Sequence, residues 1–309
     1  MTHDTKTQGA LPAPRDYGVA PAEFRLPDDT SLGAVHLQIS DLSRSRDYYT
    51  QVLGMRATGQ TPTVAMLAAH GDDRPLIWLH AKPGLRAARR RGAFGLYHFA
   101  ILLADRAALG RFAAHLARTG TSVGMADHGV SEALYLTDPD GLGIEVYADR
   151  PRSAWRRQGR EIAMTVDPLD LPNLVAAGGA RAWEGLPAGS TIGHVHLHVG
   201  NLPKAEDFYH RALGFEKVAW SLPGALFLSA GGYHHHLGTN TWAPGPAAGA
   251  DEPRLLEWEL IVPTREQAEA AARSVAAGGY EVREAADGWT LIDPWGTPVR
   301  LVAQSARDR

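Results

Sequence analysis

The chain of 309 residues contains no cysteine. Disulfide bonds, thiolate metal ligands and thiol nucleophiles are therefore excluded, and any bound metal must be held by histidine, aspartate or glutamate. Long apolar runs are also lacking: no segment reaches the length of a membrane-spanning helix, and the first thirty residues are polar and proline-rich, without the apolar centre of a signal peptide. We therefore expect a cytoplasmic protein with a flexible amino-terminal arm over residues 1–30.

A strong excess of charge of either sign is absent as well. The formal net charge is −3, and hydrophobic residues make up 44% of the chain against 21% charged residues. This balance is typical of a globular protein and gives no electrostatic reason to expect nucleic acid or a membrane as a partner. We interpret a local basic run at Arg86 and Arg89–Arg91 as a solvated loop, and the sequence leaves a homo-oligomer open.

The sequence repeats itself at a constant offset of 160 residues, and this repeat predicts the architecture. Residues 32–54 match residues 192–214: a strand of alternating character, a turn at Asp41 or Asn201, and a helix closed by glycine. Each half then adds short strands and a second pattern of strand, helix and strands. The helices of these second patterns are predicted over Arg106–Thr119 and Arg265–Ala277.

The repeat predicts four modules of βαβββ type and an α+β fold. We place the first domain at residues 31–150, an ordered linker at 151–188 and the second domain at 189–305. The linker mixes proline, arginine and glycine with one short apolar piece, which favours a segment crossing the surface over a third domain.

Several motifs resemble those of the vicinal oxygen chelate superfamily, which includes glyoxalases, bleomycin and fosfomycin resistance proteins and type I extradiol dioxygenases. They are Asp-Tyr-Tyr at 47–49 and Asp-Phe-Tyr at 207–209, each followed by Leu-Gly, and Asp-Pro-x-Gly at 138–141 and 293–296. The resemblance covers residues 32–150 and 190–303. It implies four βαβββ modules in two tandem vicinal oxygen chelate domains.

Within this superfamily, three segments resemble the ring-cleaving catechol 2,3-dioxygenases: residues 97–100, residues 138–151 and the Gly-Gly-Tyr-His-His-His run with the segment that follows it at 231–242. The resemblance implies an oxidoreductase of aromatic compound degradation. Its reaction would be extradiol (meta) cleavage of a small aromatic diol by O2 at mononuclear Fe(II), with Mn(II) as the alternative metal. Other members of the superfamily are lyases, isomerases and transferases, so the fold alone does not decide the chemistry.

The resemblance also gives the places of the metal ligands, in the first strands of two partner modules and in a last strand. In this chain those places are Ala34, His98, Glu145, His194, Glu257 and Arg300. Neither half holds two imidazoles and one carboxylate, which an open Fe(II) site needs. The resemblance therefore implies a triad built across the halves, from His98, Glu145 and His194. His36 could instead complete a rival site within the first half, and we expect Arg300 to pair with Glu257.

The remaining predicted site residues come from the same comparison. Tyr135 corresponds to a tyrosine that binds the substrate oxygen, and His235 to the imidazole that carries protons. Substrate contacts are predicted at His36, His128, His196, Tyr233, His234, His236, Asn240 and Trp242. Each has a purely structural explanation as well: Tyr135 fits a core, and the histidine run at 234–236 fits a surface cluster, although it opens a predicted strand.

Two other functions compete with ring cleavage. One is a glyoxalase-like lyase or isomerase that uses a divalent metal without oxygen. The other is a metal-free binding protein of the resistance type, in which Trp78, Trp220 and Trp242 would hold the ligand.

Overall fold

The computed structural model describes residues 17–87, 92–243 and 245–304. Residues 1–16 of the predicted arm and Arg89–Arg91 of the basic run lie outside the described residues. Within these ranges, no helix is long and apolar enough to cross a membrane.

Each half of the chain contains two βαβββ modules, as predicted. The first half comprises β1 Ser31–Ile39, α1 Leu42–Gln51, β2 Arg56–Gln60, β3 Val64–Ala68, β4 Ile77–Ala81, β5 Gly95–Leu102, α2 Arg106–Thr119, β6 Gly124–Asp127, β7 Ser131–Thr137 and β8 Gly143–Asp149. A connecting segment holds a 3-10 turn at Arg152–Ala154, the hairpin of β9 Arg157–Gln158 and β10 Glu161–Ile162, and α3 Leu171–Ala177. The second half comprises β11 Thr191–His198, α4 Leu202–Ala205 with a π-helical continuation Glu206–Ala212, β12 Glu216–Ala219, β13 Ala225–Ser229, β14 Leu237–Asn240, β15 Arg254–Val262, α5 Arg265–Ala277, β16 Val282–Ala285, β17 Gly288–Ile292 and β18 Pro298–Ala303.

The helices begin where polar side chains can satisfy their first free N–H groups. Asp41, Asp105 and Asn201 each accept a hydrogen bond from a backbone N–H of the first turn, and Thr264 forms a capping box with Gln267. The turns at Asp41 and Asn201, which the repeat indicated, are therefore helix caps.

Two eight-stranded sheets form the molecule, and the predicted α+β fold of four modules is confirmed. One sheet has the order β16-β17-β18-β15-β1-β4-β3-β2, and the other β12-β13-β14-β11-β5-β8-β7-β6. We call them sheet 1 and sheet 2. Each sheet therefore combines one module from the first half with one from the second, joined by antiparallel pairing of β1 with β15 and of β5 with β11.

The predicted domains 31–150 and 189–305 follow the order of the chain, but neither builds a sheet of its own. The local repeat cannot reveal this exchange, because it depends on which distant edges pair. Two neighbouring segments also pack more closely than expected. Residues 17–30 do not form a free arm: Val19 bridges to Lys217, and Leu26 is buried. In the predicted linker 151–188, Leu174 of α3 is buried as the helix packs on α2.

Alternation along the strands separates a core face from an open face in sheet 2. Phe99, Ile101, Val195 and Leu197 are fully buried in the main apolar core. Because side chains alternate along a strand, the residues between them point to the other face. That face carries His98, His194 and His196.

The two motifs that define the repeat bind each other. The hydroxyl of Tyr49, on α1, donates to Asp138 in the turn before β8, at 3.1 Å. The hydroxyl of Tyr209 donates to Asp293 in the turn before β18, at 2.9 Å. These buried hydrogen bonds join the two modules of each half, although the modules lie in different sheets.

Candidate metal centre

One row of residues across sheet 2 places the predicted ligands side by side. The pairing brings His194 opposite Ala100, Ala100 opposite Glu145, and Glu145 opposite Tyr135. Ala100 is fully buried between the two potential ligands. Its small side chain leaves the space into which Glu145 and the histidines converge.

His98, Glu145 and His194 form a cluster whose potential ligand atoms all lie within 4.8 Å of one another. The Nε2 atoms of His98 and His194 each lie 3.1 Å from the same oxygen of Glu145. His98 Nε2 is buried and has no hydrogen-bond partner in the described part of the chain. A buried nitrogen aimed at a carboxylate without such a bond fits a metal ligand, because unpaired buried polar atoms are otherwise costly.

The charges of the cluster suit a cation. Burial alone would raise the pKa of Glu145, but His194 and His98 hold it well below the usual range. Burial lowers the pKa of His194 to about 4, although Glu145 opposes this shift. Glu145 is therefore ionised and His194 neutral near pH 7, and these are the protonation states in which both side chains bind metals.

One glycine and a bulge bring the ligand strands together. At Gly193 a Cβ atom would stand 1.9 Å from the hydroxyl of Tyr147, so only glycine permits this approach next to His194. The register of β5 and β11 shifts between His196 and Leu197, which leaves Tyr97 as an extra residue on β5. This bulge allows both Tyr97 and His98 to line the open face, although adjacent residues normally point apart.

A cavity of about 320 Å³ opens above the cluster. Its polar wall contains His98, Glu145, His194, His196, His235, His128 and Tyr135. Its apolar wall contains Tyr97, Ala126, Met164, Val166, Leu222, Phe227 and Trp242. A more open groove of about 550 Å³, at Ser31, Asp72–Leu76 and Thr191, has no such cluster among the described residues.

Tyr135 and His128 form a hydrogen-bonded pair at the cavity wall. The Nδ1 atom of His128 lies 2.6 Å from the carbonyl oxygen of Thr165 and must donate to it. In the neutral ring Nε2 is then an acceptor, so the hydroxyl of Tyr135, at 2.6 Å, donates to it. Burial, followed by the charge of Glu145, raises the pKa of Tyr135, so its hydroxyl keeps its proton.

Eight of the predicted site residues therefore meet at this cavity: His98, Glu145, His194, Tyr135, His128, His196, His235 and Trp242. Five do not line it. Asn240 lies behind the wall, where its side chain bridges His196 and His198. The hydroxyl of Tyr233 donates to Asp149, and His236 accepts from the backbone of Ala230.

The histidine run does not open a strand, because β14 begins only at Leu237. It is not a surface cluster either: the exposed fractions of His234, His235 and His236 are 0%, 7% and 9%. Only His235 reaches the cavity wall, whereas His234 turns towards Asp149.

His36 belongs to the other sheet, so the rival site of His36, His98 and Glu145 is not formed. Its ring stacks on Trp78 at 5.2 Å and on His80 at 5.3 Å. The prediction that Arg300 pairs with Glu257 is wrong: the guanidinium instead binds Asp287, on the turn before β17. Trp220, proposed as a ligand contact, packs on Lys217 and does not line the cavity.

The residues that sequence reasoning missed come mainly from the connecting segment. Met164, Thr165 and Val166 line the cavity, and Leu222 and Phe227 complete its apolar side. Nothing in their local pattern distinguishes them. Residues 164–166 reach the site through long-range contacts, the pairing of Asp127 with Asp167 and the hydrogen bonds between Thr165 and His128.

Comparisons with known proteins identify the family of the chain. The sequence model of the Glyoxalase/Bleomycin resistance protein/Dioxygenase superfamily matches residues 31–146 and 191–292. The chain is 41% identical over 271 residues to a catechol-2,3-dioxygenase of Bacillus subtilis (strain 168), an alignment that covers 86% of this chain and 95% of that protein.

Two solved structures share the fold. A presumed dioxygenase of Bacillus subtilis superposes with a TM-score of 0.63 at 14% identity, over 91% of this chain and 86% of that one. A mutant of glyoxalase I from Zea mays gives a TM-score of 0.54 at 18% identity, over 90% of this chain and 94% of that one. At such identities the likeness concerns the fold alone.

Proposed function

The chain belongs to the glyoxalase/bleomycin resistance protein/dioxygenase superfamily, and from this premise we propose that it is an extradiol dioxygenase. Its substrates are a catechol-type aromatic diol and O2. In this reaction the ring bond between a hydroxylated carbon and its unhydroxylated neighbour breaks, and both atoms of O2 enter the product. The observation that carries the proposal is the triad of His98, Glu145 and His194 at one end of a cavity with an apolar wall.

The donor set fits mononuclear Fe(II), and Mn(II) is the alternative. Two neutral imidazoles and one carboxylate on one face leave the opposite positions open for a diol and for O2. When bound, the metal would supply the redox chemistry by which O2 reacts with the ring, and would act as a template for both reactants.

The protein side chains handle protons and orientation. His235 lies in the cavity wall with a pKa that burial lowers well below its usual value, so it is neutral and can accept a proton from a substrate hydroxyl. The hydroxyl of Tyr135 donates its proton to His128, so its oxygen can accept a hydrogen bond from a substrate hydroxyl. The apolar wall offers the aromatic ring a surface on which to pack.

The test is direct. Protein loaded with Fe(II) under anaerobic conditions is mixed with catechol, and air is then admitted. We expect uptake of one O2 per ring and the yellow ring-fission product. Absence of O2 uptake with retained metal would refute ring cleavage. Anaerobic turnover with nickel, cobalt or zinc would assign a lyase or isomerase, and catechol binding without any bound metal would assign a binding protein.

The lining also predicts which catechols are accepted. Among the described residues, no lysine or arginine lines the cavity, and its one carboxylate is Glu145. A carboxylate on the substrate would be desolvated there without a partner, which is costly. We therefore expect kcat/KM for catechol and 4-methylcatechol to exceed that for 3,4-dihydroxybenzoate by at least about a hundredfold, or about 3 kcal/mol. Comparable values for the three substrates would contradict this.

A further inference from the structure

A buried chain of hydrogen bonds begins at His235 in the cavity wall. It connects His235 to His234 and His234 to Asp149, at the end of β8. We infer that His234 and Asp149 are positioning residues that hold His235 in a single tautomer, with the lone pair of its Nε2 atom free for the substrate. The catalytic role of His235 in this inference rests on the proposed function, whereas the tautomer of His235 does not depend on that function.

The geometry of the chain is continuous. His234 Nδ1 lies 2.7 Å from His235 Nδ1, and His234 Nε2 lies 2.9 Å from Asp149 Oδ1. Both imidazoles are buried, whereas the side chain of Asp149 is 27% exposed. The chain thus runs from the cavity wall to a carboxylate that reaches solvent.

Each proton position follows from the one before. A carboxylate can only accept, so His234 must carry its proton on Nε2. In the neutral ring the Nδ1 atom of His234 is then an acceptor, and His235 must donate to it from its own Nδ1. A neutral imidazole has one N–H, so the Nε2 atom of His235 is left with a lone pair. Among the described residues no hydrogen-bond partner of this atom is found, and His235 lines the cavity.

Two further contacts fix the ends of the chain. The hydroxyl of Tyr233 donates to the same Oδ1 atom of Asp149 at 3.2 Å, which favours a carboxylate that accepts from both. The ring of His235 packs on His194 with 4.1 Å between the centroids, so the ring has little room to turn over. The tautomer is therefore set by hydrogen bonds and the orientation by packing.

The consequence concerns one proton. The Nε2 atom of His235 can accept the proton of a substrate hydroxyl, while a ring with its proton on Nε2 could only donate. In other enzymes, a carboxylate that orients a catalytic imidazole strongly affects turnover because its loss permits the wrong tautomer.

Nitrogen-15 NMR of histidine-labelled, metal-free protein tests the tautomer without any turnover. The signal of His235 is assigned by its loss in the variant His235→Gln. We expect the proton on Nδ1 in the wild type, and a shift towards the Nε2–H form in Asp149→Asn, whose amide can donate to His234. A proton on Nε2 in the wild type would overturn the inference, as would an unchanged tautomer in both Asp149→Asn and His234→Phe.

Kinetics test the role. In His234→Phe, kcat for catechol should fall by at least about tenfold, because complete loss of general acid–base catalysis costs about 10²–10⁴-fold in rate. KM and bound iron should stay close to the wild type. In the double variant His234→Phe/His235→Gln, the first change should add almost nothing to the second, because His234 acts through His235. Full additivity would mean that His234 acts independently and would overturn the role.

Sheet 1 offers a matched control. His80 also binds a neighbouring histidine, with its Nε2 atom 3.1 Å from His36 Nδ1, but neither ring lines the cavity. His80→Gln should leave kcat and the His235 tautomer unchanged. A kcat loss like that of His234→Phe would show that loss of any hydrogen-bonded histidine pair suffices, and would overturn the role. If no variant cleaves a ring but the wild-type tautomer is as stated, the proposed function fails and the positioning stands.

Discussion

At the scale of single residues, the centre depends on one carboxylate between two imidazoles. Glu145 is almost fully buried, and the approach of His194 and His98 stabilises its charge. The same contacts hold the three side chains close enough together to bind one cation. In metal-free protein Glu145 is therefore held by the histidines that would share the metal with it.

Glu145→Gln should remove tight iron binding, because an amide replaces the only anionic ligand of the set. Loss of an outer partner of a ligand already costs about 10–100-fold in metal affinity, so loss of the carboxylate should exceed this. Iron is measured by elemental analysis after gel filtration. Glu257→Gln, which changes a carboxylate of sheet 1, is the control and should retain iron. Equal iron in both variants would contradict the proposed triad.

Tyr135→Phe should keep iron and fold but lower kcat/KM about 2–10-fold, which corresponds to the roughly 0.5–1.5 kcal/mol typical of a neutral hydrogen bond. The removed hydroxyl is the one that donates to His128 and faces the cavity. Steady-state kinetics with catechol measure the effect. Unchanged kinetics would leave Tyr135 as a core residue only.

At the scale of elements, local sequence patterns predict the helices and strands whose ends are set by residues within the same segment. The helices α2 and α5 begin and end at the predicted residues because their caps and periodicity lie within the segment itself. The start of β14 was predicted three residues too early, at His234, since the hydrogen bonds that hold the run before it come from Asp149, far along the chain. The same limit explains why the contribution of residues 164–166 to the cavity was missed.

The turn before β8 provides a prediction on pH. Asp138 accepts hydrogen bonds from the backbone of Asp140 and Leu142 and from Tyr49, but burial outweighs them and raises its pKa to about 6. A raised carboxyl pKa means that the folded state binds the proton more tightly than the unfolded state, in which the pKa is about 3.9. The stability from this group is therefore present below about pH 4 and lost as the pH rises through about 6.

The free energy of unfolding of the wild type, relative to that of Asp138→Asn, should therefore fall by up to about 2–3 kcal/mol between pH 4 and pH 7. Asparagine cannot ionise, so the difference between the two proteins isolates this one group. Urea unfolding at several pH values measures it. A difference that rises with pH would mean that hydrogen bonds outweigh burial at Asp138.

At the scale of the whole molecule, the exchange of modules makes each half incomplete. The halves were correctly recognised from the offset of 160 residues. The pairing of β5 with β11 could not be predicted in this way, because the local pattern of each strand does not show which other strand it pairs with. The absence of a metal-binding side chain at Ala34 and Arg300 was the one indication in the sequence that a complete ligand set must come from both halves.

Neither residues 1–150 nor residues 186–309, expressed alone, should bind iron tightly, because each lacks a ligand and exposes two long unpaired strand edges. Mixing the two fragments should restore iron binding, measured by elemental analysis of the isolated complex. Tight binding of iron by residues 1–150 alone would show that His194 is dispensable.

The module exchange has a consequence for descent. Both sheets have the same strand order when the halves are interchanged, so β1 corresponds to β11 and β5 to β15. A half-length ancestor with this fold would have had to associate in pairs, with two equivalent pockets, one at each seam. Fusion of two such copies would free them to diverge, and one pocket could then lose its ligands without loss of the other. In this chain Ala34 and Arg300 stand at the predicted ligand places of sheet 1, whereas Met164 and Val166 of the connecting segment line the cavity of sheet 2.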